Sequence, residues 1–302
     1  MSDDISFARF IARLEDVPSQ ERLRQPTETP SVDIVYEIHR PDGAFNDLLI
    51  FYHGGGAHGR AGYDRMAQRL LAAAPVAVCL PDVRGHGSSG GPRGHLSSPH
   101  LAWDDVDQLV ALMRREFPGI RIHLGAHSSG AGMLLNHLTR RPPREPVDSL
   151  ILLAPELGWR AGLYRSTNKF GSFAQVRVWP FLLAACTGGF IGGSLPAVYF
   201  GVSAEAERAG CVPDYTVNMA NAVTPDDPAG QLHRLTLRTR IGIAEKDQLI
   251  DADRLATFIT RHGGHNIKAT RLSGTDHLGV ILDSVPFLCE ALAYPSVQEK
   301  PV

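Results

Sequence analysis

The stretch Gly125-Ala126-His127-Ser128-Ser129-Gly130-Ala131-Gly132 sets two serines side by side among small residues. A serine hydroxyl attacks a carbonyl only when a base takes its proton and a third group holds that base. It also needs N–H donors for the oxygen that becomes negative. The serine must stand at the tip of a sharp strand-to-helix turn, and such a turn tolerates only small residues two before and two after it. Ala126 and Gly130 meet that demand around Ser128. Centring the turn on Ser129 would put His127 in the first small position, so Ser128 is the expected nucleophile.

In a parallel sheet, groups that act together gather beyond the C-terminal ends of the strands. His53-Gly54-Gly55-Gly56 follows one apolar run, and successive glycines let backbone N–H groups approach a substrate oxygen with no Cβ in the way. The expected oxyanion donors are the N–H groups of Gly55 and of Ser129, the residue after the nucleophile. Glu245, Asp247 and Asp251 follow the run Ile241-Gly242-Ile243-Ala244. Asp251 precedes a helical pattern and is better explained as its N-cap; Asp247 is the expected acid, with Glu245 its competitor. His277 follows the acid in chain order and is the expected base, giving the sequence Ser, Asp, His. No histidine pair falls at metal-binding spacing within a strong motif, so no metal is expected. Gly85, Gly87 and Gly90 match a dinucleotide fingerprint formally. Gly91-Pro92-Arg93-Gly94 follows where that motif must open a helix, so no nucleotide cofactor is expected.

These residues must be carried by strands and helices in alternation. Leu48-Leu49-Ile50-Phe51-Tyr52, Val76-Ala77-Val78-Cys79-Leu80 and Leu150-Ile151-Leu152-Leu153-Ala154 are continuous apolar runs, the mark of strands buried on both faces. An outer strand is expected over residues 32–38, and further strands over 120–124, 237–244 and 267–272. Helical spacing marks residues 63–74, 101–117, the stretch after the serines, 252–262 and 278–292. Such alternation implies an α/β fold, a mostly parallel doubly wound sheet with helices on both faces. Phe7, Phe10, Ile11, Leu14 and Val17 suggest an N-terminal helix, followed by a polar, proline-punctuated linker to residue 30. The alternation fails over residues 155–235, too long for a connection, and this segment is expected to be an inserted, largely helical cap. The core is then residues 31–154 with 236–302.

The 302 residues suffice for one large domain, and a net charge of −2 supplies no reason to expect nucleic acid or an anionic surface as partner. The four cysteines form no C-x-x-C pair. A Cys186–Cys211 bridge is conceivable, but a reducing compartment fits better, and without a signal-peptide pattern the expected location is cytoplasmic. Residues 178–204 hold no charge. Their prolines and glycines, and a topology that would split Ser128 from His277 across a bilayer, argue against a membrane span.

The glycine loop, Phe51 through Arg60, resembles that of monoacylglycerol lipases and the related lysophospholipase and serine-aminopeptidase-type α/β hydrolases. Asp82-Val83-Arg84-Gly85-His86-Gly87-Ser88-Ser89-Gly90 is similar to that group's Asp-x-Arg-Gly-His-Gly-x-Ser-x-Gly block. The resemblance, which covers roughly residues 48–154 and 236–290, implies the α/β-hydrolase fold. It implies Ser128, Asp247 and His277 as catalytic triad, with Gly55 and Ser129 as oxyanion donors. Ala126 stands where the group usually has the first glycine of its elbow.

The expected activity is cleavage of a carboxylic ester through an acyl-enzyme, on a small-molecule ester that is apolar or lipid-like. Trp179, Phe181, Phe190 and Tyr199 crowd the uncharged part of the cap and are candidates to line its pocket. A cap face that touches membranes transiently is a further expectation. A peptidase, thioesterase or acyltransferase on the same triad, or a non-catalytic small-molecule receptor, are the alternatives. The oligomeric state stays open.

Overall fold

The structure is a computed structural model that describes Phe10 and residues 23–26, 32–165 and 174–293. Asp47–Tyr52 (β3) and Val76–Pro81 (β4) are buried at every position. Leu48, Ile50 and Tyr52 join one core layer while Leu49 and Phe51 join the other, as the two-residue period of a strand requires. Each such strand must therefore be covered on both faces. On one side the helix Tyr63–Ala73 presents Tyr63, Met66, Ala67 and Leu70 at helical spacing. On the other the helices His100–Glu116 and Ser129–Arg140 do the same with Trp103, Val106, Val110 and Leu134. Burying one such side chain fully is worth about 1.5–3 kcal/mol.

The remaining strands of this sheet are Leu23–Pro26 (β1), Asp33–His39 (β2), Arg121–His127 (β5), Ser149–Leu153 (β6), Thr239–Ala244 (β10) and Ile267–Leu272 (β11). Their order is β1-β2-β4-β3-β5-β6-β10-β11. Every pair from β4 to β11 is parallel, whereas β2 runs antiparallel to both β4 and β1. The parallel strands all end at one edge. The segments that leave them there carry Gly54, Ser128, Asp247 and His277.

Three elements differ from the sequence reading. The stretch read as a polar linker contains β1, whose Pro26 is tolerated because it sits on the sheet's outermost strand. The final helix is two pieces, Gly279–Asp283 and Val285–Ala291, because Pro286 has no N–H with which to continue the ladder. Between β6 and β10 the chain forms the helices Val178–Cys186, Ala204–Arg208, Val217–Val223 and Pro228–Arg234. Alongside them lies a small antiparallel sheet, Ala174–Val176 (β7), Pro196–Phe200 (β8) and Asp214–Thr216 (β9). Strands of three to five residues are too short to leave an alternation visible in the sequence. The expected N-terminal helix lies outside the described residues except for Phe10, which is buried in the core layer of the Tyr63–Ala73 helix.

Candidate active site

Ser128 caps the helix Ser129–Arg140 with φ 52° and ψ −121°, a conformation L-residues rarely adopt. The strain is of the order of 1–3 kcal/mol and persists only because surrounding bonds hold it. The Ser128 N–H donates to the Leu153 carbonyl at 3.0 Å, and the Ser128 carbonyl accepts from Ala131 and Glu156 N–H at 3.0 and 3.1 Å. The small residues flanking the serine have steric reasons. A Cβ on Gly130 would come within 2.4 Å of the His53 carbonyl oxygen, and one on Gly132 within 2.1 Å of that of Val223. Ala126 fits in place of glycine, fully buried, with its own Cβ in ordinary contact with this position.

The structure brings Ser128, His277 and Asp247 into one hydrogen-bonded line. Ser128 Oγ lies 3.0 Å from His277 Nε2, and His277 Nδ1 lies 2.7 Å from Asp247 Oδ2. The other Asp247 oxygen accepts the N–H groups of Leu249 and Ile250 at 2.8 and 2.9 Å, which orients the carboxylate. Its neighbours in sequence are occupied elsewhere. Asp251 caps the helix Ala252–His262 by accepting from Asp253 and Arg254 N–H, and Glu245 accepts from Gly274 N–H.

The glycine loop is held from several sides. His53 Nδ1 donates to the Gly54 carbonyl while its Nε2 accepts Val83 N–H at 3.0 Å, and burial lowers its pKa to about 4. The Gly54 N–H donates to the Tyr63 hydroxyl, and the Gly56 N–H to the Tyr215 hydroxyl, both at 2.9 Å. The Tyr63 hydroxyl donates to His127 Nδ1 at 2.9 Å, so His127 Nε2–H is the donor to the His277 carbonyl, also at 2.9 Å. Burial and the neighbouring His277 keep His127 well below its ordinary pKa, consistent with this neutral tautomer. Among the described hydrogen bonds neither Gly55 N–H nor Ser129 N–H has a partner. These two residues adjoin, since a Cβ on Gly55 would lie 3.2 Å from Ser129 Oγ.

The Asp82–Gly90 block acts as a scaffold. Asp82 accepts Gly59 and Ser88 N–H at 2.8 and 2.7 Å, and a Cβ on Gly87 would collide with its carboxylate at 2.1 Å. Arg84 pairs bidentately with buried Asp105. A Cβ on Gly94 would come within 1.9 Å of the Asp214 carbonyl oxygen, so only glycine lets β9 lie against this segment. Thr216 N–H donates to the Gly94 carbonyl there.

The four aromatic candidates stand in different surroundings. Trp179 and Phe190 stand in solvent, 57% and 96% exposed. Phe181 packs on Ala184, Ala197 and Val217 of the insertion, and Tyr199 stacks under Arg177 at 4.5 Å. Short insertion strands give no register in the sequence, so which ring turns inward could not be read. The ring that meets Gly55 and Gly56 is that of Phe200. Sequence reasoning also missed Tyr63, His127, Tyr215 and Glu156. Glu156 accepts from the Tyr164 hydroxyl and Gly158 N–H, and burial raises its pKa. Only His127, inside the serine motif, carried a local signal.

The fold has counterparts among known proteins. A soluble variant of monoglyceride lipase from Saccharomyces cerevisiae superposes with a TM-score of 0.68 at 12% identity, over 93% of this chain and 97% of its own. An α/β hydrolase from Penicillium sp. sh18 does so with a TM-score of 0.64 at 16% identity, over 91% and 97%. The chain has the α/β-hydrolase fold. The family model described as serine aminopeptidase, S33, matches residues 44–191, which hold the glycine loop, the Asp82 block and Ser128 but end before Asp247 and His277. The monoacylglycerol lipase of Mycolicibacterium smegmatis is 34% identical over 134 residues, 44% of this chain and 46% of that enzyme. Human monoglyceride lipase is 32% identical over 117 residues, 38% and 37% of the two chains. The chain thus matches under half the length of either relative.

Proposed function

We propose that this α/β hydrolase is a serine esterase that cleaves a carboxylic ester through an acyl-enzyme. The observation that carries the reading is the line Ser128–His277–Asp247 beneath the strained turn. His277 Nε2 takes the hydroxyl proton as Ser128 Oγ attacks the ester carbonyl, and Asp247 stabilises the resulting imidazolium and its tautomer. Gly55 and Ser129 N–H receive the tetrahedral oxygen. The intermediate collapses, His277 gives its proton to the departing alkoxide, and water deacylates the serine by the same steps. A cytoplasmic location accords with four free cysteines.

The substrate is apolar or lipid-like. Support comes from the names of the relatives and from an insertion that sets Phe200 over the glycine loop. Val178, Trp179, Leu182, Phe190 and Ile191 are exposed on the insertion and form the face through which it meets a lipid surface transiently. Among the described residues no helix is long and apolar enough to cross a membrane.

A fluorophosphonate probe should label Ser128, and Ser128→Ala should abolish labelling; an unlabelled folded wild type would reject the hydrolase reading. Along a p-nitrophenyl ester series from acetate to decanoate, kcat/KM should rise, each buried methylene being worth about 0.8 kcal/mol. A flat series would reject the apolar substrate, and faster turnover of aryl amides or thioesters would favour a peptidase or thioesterase.

A further inference from the structure

Tyr215 belongs to β9 in the insertion, yet its ring is buried and reaches the glycine loop of the core. It packs edge-on against Phe200, centroids 4.8 Å apart, and against His86 at 5.3 Å. Its hydroxyl accepts Gly56 N–H at 2.9 Å and stands 2.7 Å from His86 Nε2. The direction of that second bond follows from proton counting. His86 Nδ1 lies 3.1 Å from the Arg84 carbonyl, which can only accept, so Nδ1 carries the ring proton. Burial, with His53 nearby, holds His86 far below its ordinary pKa and keeps the ring neutral. His86 Nε2 is then an acceptor, the Tyr215 hydroxyl must donate to it, and the oxygen's lone pair is left facing Gly56 N–H.

The same peptide region is tied at two more points. Val212 N–H, also from the insertion, donates to the Gly56 carbonyl at 2.8 Å, and Gly54 N–H is held by Tyr63. Gly55 lies between two anchored peptides, so the direction of its N–H is set by partners that it does not touch. Glycine alone would leave that direction loose.

We propose that Tyr215 is a positioning residue for the Gly55 N–H donor, so that the insertion, through one hydroxyl, holds the oxyanion loop in its donating conformation. The proposal rests on the serine-hydrolase reading above. It makes the β9 part of the insertion a fixed component of the site and not a mobile cover.

The test is Tyr215→Phe, which keeps the ring and removes the hydroxyl. Four measurements are compared with wild type: kcat and KM on a p-nitrophenyl ester, affinity for a trifluoromethyl ketone, fluorophosphonate labelling and Tm. A misdirected oxyanion donor lowers kcat and inhibitor affinity together, each by about tenfold, with KM within about twofold, since only the tetrahedral species uses the donor. A lowered Tm with kcat and inhibitor affinity unchanged per folded molecule would make Tyr215 merely structural and overturn the proposal. If wild type itself is not labelled, the hydrolase reading falls and the proposal with it; a labelled wild type with an unaffected variant removes the proposal alone. Should Tyr215→Phe not fold, His86 decides. His86→Gln offers an amide oxygen to the tyrosine proton and should retain more kcat than His86→Leu, and equal values would overturn the proposal.

Discussion

The sheet carries two Ser–His–Asp constellations, one at each edge. At the edge where the strands end, Ser128, His277 and Asp247 are linked at 3.0 and 2.7 Å. At the edge where they begin, Ser149 Oγ lies 2.7 Å from His123 Nδ1, and His123 Nε2 lies 2.8 Å from Asp47 Oδ1. Distances and burial do not separate them, for all six residues are buried. Three other features do. Ser149 sits within β6, with ladder partners, while Ser128 stands on a positive-φ turn that lifts its hydroxyl out of the ladder. Asp47 is already neutralised by the Arg121 guanidinium at 2.6 and 2.8 Å, so it has little charge left to stabilise an imidazolium. Beside Ser128 two backbone N–H groups lack partners among the described residues, whereas His123 and Ser149 face each other directly across β5 and β6. Residue types and hydrogen bonds make a polar cluster; on the proposed reading, a strained turn, a carboxylate not shared with a cation and waiting donors give it the means of catalysis.

The largest effect that would sharpen this contrast is at the two serines. Ser128→Ala should lower kcat at least about 10⁴-fold in a steady-state assay, while Ser149→Ala should leave kcat unchanged and cost about 1 kcal/mol in urea unfolding. Equal losses of activity would erase the distinction. Next come the acids. Asp247→Asn should lower kcat by about 10⁴-fold with Tm nearly intact, because the wrong histidine tautomer is favoured. Asp47→Asn should do the reverse, costing about 1–3 kcal/mol because it weakens the hydrogen bonds that a buried carboxylate makes to His123 and to the half-exposed Arg121, with kcat per folded molecule unchanged.

Acid should affect both edges through stability. Burial lowers the pKa of His123 at one edge and of His53, His86 and His127 at the other, His53 to about 4 against an ordinary value of 6.5. The unfolded chain therefore binds more protons than the folded one between these values. Stability is fully present above pH 6.5 and falls as pH drops toward 4. Urea midpoints at pH 7.5, 6 and 5 should decline in that order, and a constant midpoint would contradict the neutral-histidine bridges. The smallest effect is Asp251→Asn, expected to change kcat less than twofold and stability by less than about 0.5 kcal/mol, since asparagine caps a helix as well. A large loss there would return Asp251 to contention as the acid.

The serine, the histidine and the glycine loop were readable because each belongs to a short string with a local steric or chemical demand. Gly130 cannot carry a Cβ, and His277 follows a strand end. The buried strands were equally plain, since continuous apolar runs such as Leu48 to Tyr52 tell of coverage on both faces. Asp247 was separable from Asp251 only through the capping pattern of the helix that follows. What the chain by itself determined was thus the alternation of strand and helix and the identity of the three side chains that meet. Only the tertiary structure decided which rings turn inward on the short strands of the insertion, and that Tyr215 completes the loop of the core. Those outcomes depend on contacts between segments far apart in sequence, such as Gly56 with Tyr215 and Gly94 with Asp214. A residue's own neighbours carry no trace of such contacts, because the force that selects them acts only once the chain has closed on itself.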